Sequence, residues 1–151
     1  MRILIAEDDI TSRVMLMAVL KKAGHELVET ANGLEAWEVL QKPDAPKLAI
    51  LDWMMPGLDG IEVVQRVRAM ARDQPPYILM LTAKTDKESS NAGLEAGAND
   101  YLTKPFDRGE LRTRIEVGRR MIELQEALAE KNGELQRTLS ENKTLRGIAS
   151  S

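Results

Sequence analysis

Short apolar runs alternate along the chain with longer segments whose apolar residues recur every three or four positions, the pattern of a parallel α/β sheet. Runs at 3–6, 26–30, 48–51, 77–81 and 100–102 predict five strands, and segments at 11–23, 34–40, 61–70 and 87–96 predict four helices between them. Leu48, Ala49, Ile50 and Leu51 are apolar without a break, as a central strand covered on both faces must be. Helix 11–23 carries Val14, Met17 and Ala18 at helical spacing with Lys21 and Lys22 outside, and Gly24 ends it. Helix 61–70 carries Ile61, Val64, Val67 and Arg68 at the same spacing. Asn32-Gly33, Pro43, Pro46 and Pro56-Gly57 punctuate the alternation. Five such strand–helix units fit one doubly wound sheet.

Beyond Asp107 the texture changes. No proline appears from there to Arg146, and Val117, Met121, Leu124, Leu128, Leu135 and Leu145 fall on a stripe of coiled-coil type. Lys131, Thr138 and Asn142 interrupt the stripe, and Leu139 sits one place off register. One long helix follows, its first part packed on the sheet and its remainder projecting as a coiled-coil segment. Gly133 beside Asn132 is a candidate break, since a helical glycine costs about 1 kcal/mol. The division is a folded domain at 1–120 and a helical extension at 121–151. Such an extension calls for a partner helix, most simply a second copy in a parallel homodimer, with Asn142 fixing register.

Composition narrows the function. The chain has 151 residues, 43% hydrophobic and 30% charged, enough for one domain with a sizeable core. With 21 basic against 24 acidic residues the net charge is -3, which argues against direct nucleic-acid binding. The chain has no cysteine, so thiol catalysis is excluded and a reducing compartment is natural. The opening MRILIAEDD is too short and too charged for a signal peptide or a membrane span, so no membrane insertion and a cytoplasmic setting are expected.

In a doubly wound sheet, ligands sit at the carboxyl ends of the strands. Glu7, Asp8 and Asp9 follow the first strand, Asp52 the third, Thr82 the fourth and Lys104 the fifth. A single aspartate after a strand is ordinarily a helix cap. Acids after two strands, a hydroxyl after another and Lys-Pro after a fourth make four coincidences at one edge. Facing carboxylates cannot all stay ionised without a cation between them, and an oxygen-only donor set suits Mg2+. Lys104 adds a compact positive charge for phosphate oxygens and Thr82 a hydroxyl donor. One carboxylate acting as nucleophile gives an acyl phosphate, and Asp52 is the best candidate because it ends the most buried strand. Glu7 is read as a solvated member of the trio. His25 reads as a turn residue, and Trp53 as a packing or partly exposed loop residue.

The stretches ILIAEDD, LAILDWMMPGLDG, ILMLTA and GANDYLTKPF resemble the receiver domains of two-component response regulators, over a span from Met1 to about Arg120. The resemblance implies a flavodoxin-like (βα)5 sheet of strand order 2-1-3-4-5, with the fifth helix lengthened into the coiled-coil-like segment. It implies that Asp52 is the phosphoacceptor and that Asp9 binds Mg2+ directly, with Asp8 acting through water. The backbone carbonyl of Met54 completes the metal set. Lys104 looks like the partner of the phosphoryl oxygens, and its bond to Pro105 is expected to be cis. Thr82 and Tyr101 look like the switch pair, the hydroxyl moving toward the phosphoryl group and the ring turning inward behind it. Met54 and Lys84, two residues past Asp52 and Thr82, look like the positions that tune dephosphorylation. The implied partner is a sensor histidine kinase or phosphotransfer protein. The implied chemistry is self-phosphorylation and autodephosphorylation, with no enzymatic turnover of other substrates.

Two rival readings fit less well. A haloacid-type phosphatase needs a second aspartate two residues after the nucleophile, where this chain has Met54. A pseudo-receiver would lack an acid or the lysine, and all are present. No effector motif accompanies the domain, and the ending at 145–151 favours a truncated effector over a stand-alone module.

Overall fold

The computed structural model describes residues 1–83 and 87–150, with side chains except those of 87–90 and 140–150. Among the described residues ten elements follow in order. These are β1 (Arg2–Ala6), α1 (Ile10–Lys22), β2 (Glu26–Thr30), α2 (Gly33–Leu40), β3 (Leu48–Asp52), α3 (Gly60–Ala69), β4 (Tyr77–Ala83), α4 (Lys87–Ala96), β5 (Asp100–Lys104) and α5 (Arg108–Ser150). The strands form one parallel sheet of order β2-β1-β3-β4-β5, the expected flavodoxin-like topology. All five residues of β3 are buried, as its unbroken apolar run requires.

Alternation along the strands splits the core in two. Ile3, Ile5, Leu48, Ile50, Leu79 and Leu81 face α1 and α5, joining Leu16, Leu20, Leu111, Ile115 and Ile122. Leu4, Ala6, Ala49, Leu51, Ile78 and Met80 face the opposite way, joining Ala36, Leu40, Val63, Val64 and Val67. The buried face of α1 is Leu16, Val19 and Leu20, not the stripe through Val14, Met17 and Ala18; Val14 is exposed. This helix is apolar nearly all round, so its periodicity does not say which side packs.

Helix starts are set by side-chain caps. Asp9, Asn32 and Asp59 each accept a hydrogen bond from the backbone N–H three residues on, capping α1, α2 and α3. Arg68, half-buried on α3, donates to the Gly97 and Pro76 carbonyls and to Asn99 Oδ1, tying α3 to the loop before β5. The helix α5 is continuous through Gly133, so the candidate break is not realised. Its packing on the sheet persists past residue 120, through buried Ile122 and an ion pair between Glu126 and Lys47. After Ile122, the apolar side chains of Leu124, Leu128, Leu135 and Leu139 are exposed. The side chains of Asn142 and Leu145 lie outside the described residues.

Candidate functional site

Four strand ends meet at one edge of the sheet. The register places Ala6 beside Leu51, Asp52 beside Leu81 and Thr82 beside Thr103, so the residues following β1 lie next to the ends of β3, β4 and β5. Asp52 is 7% and Thr82 2% exposed. Lys104 Nζ donates to Asp52 Oδ2 at 3.1 Å and approaches Glu7 Oε2 at 2.6 Å. The Lys104-Pro105 peptide is cis, as the resemblance implies. A cleft of about 590 Å³ opens beside these groups, lined by Asp52, Met54, Thr82 and Lys104 together with Met15 and Phe106.

The acidic trio divides differently from the sequence reading. Glu7, taken there as solvated, is fully buried. Its carboxylate, with those of Asp8 and Asp52, puts three oxygens within 4.8 Å of one another. Asp9 is not in this cluster. Its Oδ2 accepts from the Ser12 N–H at 3.1 Å and its carbonyl accepts from Arg13, so it is spent on starting α1. The Ser12 side chain and then its backbone N–H hold the Asp9 carboxyl below the usual aspartate range. Asp9, expected as a direct ligand, thus stands outside the convergent acids, which lie one residue earlier, at 7 and 8.

Electrostatics follow from burial. Desolvation, with a further push from the neighbouring Asp52, raises the Glu7 carboxyl to about 7, while Lys104 and the Asp9 N–H act in the opposite sense. Burial by itself would lower Lys104, yet contact with Glu7 and Asp52 raises it overall and keeps it charged. Three carboxylates facing one lysine leave an excess of negative charge. All the donors are oxygens, so the cluster fits a hard divalent cation such as Mg2+ and not a soft metal.

The remaining expected residues are spread around this cluster. Met54 lines the cleft with its side chain 73% exposed. Tyr101 is 36% exposed on β5, on a surface shared with Asp107, Glu110 and Arg114. Lys84 lies outside the described residues. His25, on the other side of the molecule, sits in the turn after α1 as expected.

Gly60 is a residue the sequence reading passed over. A Cβ there would stand 2.5 Å from the Asp52 carbonyl oxygen and 2.8 Å from Met80 Cε. The glycine thus lets α3 begin directly against the strand that presents Asp52. Gly60→Ala is expected to cost about 1–2 kcal/mol of stability in urea unfolding, the scale of core overpacking; an unchanged midpoint would show that α3 yields without cost.

Comparison with known proteins agrees with this geometry. Residues 3–116 match the response regulator receiver domain family. The chain is 41% identical over 117 residues to the phosphate regulon transcriptional regulatory protein PhoB of Pseudomonas aeruginosa, covering 76% of this chain and 50% of that protein. It is 35% identical over 117 residues to a chemotaxis protein CheY homolog of Campylobacter jejuni, covering 77% of this chain and 90% of that one. The solved structure of Vibrio cholerae chemotaxis protein CheY4 superposes with a TM-score of 0.69 at 33% identity, over 78% of this chain and 97% of that chain. The chain thus spans about half the length of the PhoB relative. By sheet order, by the acid–lysine cluster at its carboxyl edge and by this family match, the chain belongs to the response regulator receiver domains.

Proposed function

We propose that Asp52 accepts a phosphoryl group from a phosphohistidine on a sensor histidine kinase or phosphotransfer protein, and that the chain works as a phosphorylation-dependent switch. The observation that carries this is the Asp52 carboxylate, nearly buried, held by Lys104 at 3.1 Å among converging acids and open to a cleft on one side. An Asp52 oxygen forms the bond to phosphorus as the phosphorus–nitrogen bond breaks. The departing imidazole nitrogen keeps the electron pair and is reprotonated from solvent. Asp8, Asp52 and the Met54 carbonyl are the groups that would hold Mg2+, with Glu7 beside them. The ion supplies positive charge against the incoming phosphoryl oxygens.

The side chains of the protein then do the rest. Lys104, already charged and already turned to Asp52, stays with the new phosphoryl oxygens. The Thr82 hydroxyl donates to one of them, and Tyr101 on the neighbouring strand follows inward. These bonds exist in only one arrangement of the loops, and that differential stabilisation shifts the population. The face from β4 to α5 changes, and the signal leaves along α5, which pairs with a second copy of the chain. Phosphorylation and its reversal are the only chemistry assigned. No helix among the described residues is long and apolar enough to cross a membrane.

The test is intact mass after incubation with Mg2+ and phosphoramidate. One added phosphoryl group on the wild type and none on Asp52→Asn is the expected result. An unlabelled wild type would reduce the acid cluster to a metal or structural site.

Met54 bears on how long the phosphoryl group lasts. Its apolar, exposed side chain has no group to orient a water beside Asp52. Met54→Asn is expected to shorten the phosphoryl lifetime roughly tenfold, the equivalent of one hydrogen bond of about 1.4 kcal/mol in the transition state. Equal autodephosphorylation rates for the two proteins would sink the idea.

A further inference from the structure

From Val117 onward the helix α5 carries an apolar stripe that no described residue covers. Val117, Met121, Leu124, Leu128 and Leu135 are each more than two-fifths exposed. Counted in heptads, Met121, Leu128 and Leu135 take one seam position (a), and Val117, Leu124 and Lys131 take the other (d). Along one flank Arg120, Ala127 and Glu134 recur at intervals of seven. Among the described residues neither Arg120 nor Glu134 makes an ion pair within the chain.

The direction of the second helix follows from these charges. In a parallel, in-register pair, Lys131 would face Lys131 of the second copy inside the seam. The flanks would set Arg120 against Gln125, Ala127 against Asn132 and Glu134 against Leu139, with no opposite charges matched. Reversing one helix about residues 126 and 127 changes every layer. Leu124 then meets Leu128 of the second copy, Val117 meets Leu135, and the Lys131 stem lies over Met121 with its ammonium in water. On the flank, Arg120 meets Glu134 of the second copy twice over, once at each end, and the small Ala127 meets itself at the centre. The opposite charges lie two heptads apart on the same edge, which is what an antiparallel self-pairing requires.

We propose that this face binds a second copy of the chain in antiparallel orientation, closed by reciprocal Arg120–Glu134 pairs. The proposal rests on the reading that α5 pairs with a second copy, and it replaces the parallel direction that the apolar spacing alone suggests. Partner choice and register lie in the charged flank, and the receiver bodies stand at opposite ends of the pair.

The absence of cysteine makes the test direct. Full-length Leu124→Cys and Leu128→Cys are oxidised separately and as an equimolar mixture. The expected result is disulfide-linked dimer in the mixture only, because the two positions face each other across antiparallel helices and neither faces itself. Linkage of each variant alone would overturn the antiparallel arrangement and leave the dimer standing. A monomer mass for the unsubstituted chain in sedimentation equilibrium would overturn the dimer itself. Arg120→Glu and Glu134→Arg are each expected to weaken association about tenfold at low salt, with the double variant restored to within about threefold of the wild type. A double variant as weak as the single ones would overturn the reciprocal pairing.

Discussion

Lys104→Met destabilises the metal-free protein by about 3 kcal/mol at pH 8 and prevents stable phosphorylation of Asp52: this is the first expected result. The methionine keeps most of the stem but removes the positive charge that stands 2.6 Å from Glu7 and 3.1 Å from Asp52. Breaking a buried pair from one side leaves the other charge uncompensated, at about 3–5 kcal/mol. The lower end applies here, because the Lys104 side chain is 25% exposed and water reaches part of the site. At pH 5 the cost is smaller, since Glu7 takes up a proton and ceases to repel Asp52. Urea unfolding followed by tryptophan fluorescence checks the stability, with intact mass checking the phosphorylation. A loss under about 1 kcal/mol at pH 8 would mean that water screens the acids as well as the lysine does.

The second large effect concerns Glu7 and has a definite sign. Its carboxyl is raised from 4.5 to about 7, mainly by burial, so the folded protein binds this proton more tightly than the unfolded chain does. A raised acid contributes its stability fully below its unfolded value, and that contribution is lost as pH climbs through the folded value. Between about pH 4.5 and 7 the metal-free wild type therefore loses on the order of 2–3 kcal/mol from this group. Glu7→Gln does not titrate and escapes the loss. Without metal the variant is expected to match the wild type near pH 5 and to exceed it by that amount at pH 8. Unfolding midpoints at both pH values, in a chelating buffer, decide it. A wild type whose advantage over the variant grows with pH would contradict the raised carboxyl.

The sheet and the principal residues were readable because each leaves an independent mark. Leu48–Asp52 is apolar up to the residue that matters, so the strand and Asp52 come together. Lys104 stands before a proline at the end of the last strand, and Thr82 near the end of the run before it. Three consecutive acids leave no such mark. Once β1 ends at Ala6, which of Glu7, Asp8 and Asp9 points inward depends on where the backbone turns into α1. That turn is decided by the Asp9–Ser12 cap. Asp8 and Asp9 each stand three residues before a hydroxyl residue, so the sequence alone does not say which of them caps α1. Gly60 was missed for a related reason, because its importance lies in what a side chain would strike and that partner is eight residues back on another element. The buried face of α1 stayed hidden because Val14, Met15, Leu16 and Met17 are all apolar.

The anchorage of α5 turns a small rotation into a usable distance. Ile122 is the last described residue of the helix held in the core, and Leu139 lies seventeen residues beyond it. At 1.5 Å per residue that overhang is about 25 Å, so a tilt of about 5° at the body sweeps its far end through roughly 2 Å. The helix is a lever whose gain is its own length. Removing whole turns between the anchor and the tip would lower that gain in proportion, without touching a single residue of the phosphorylation site.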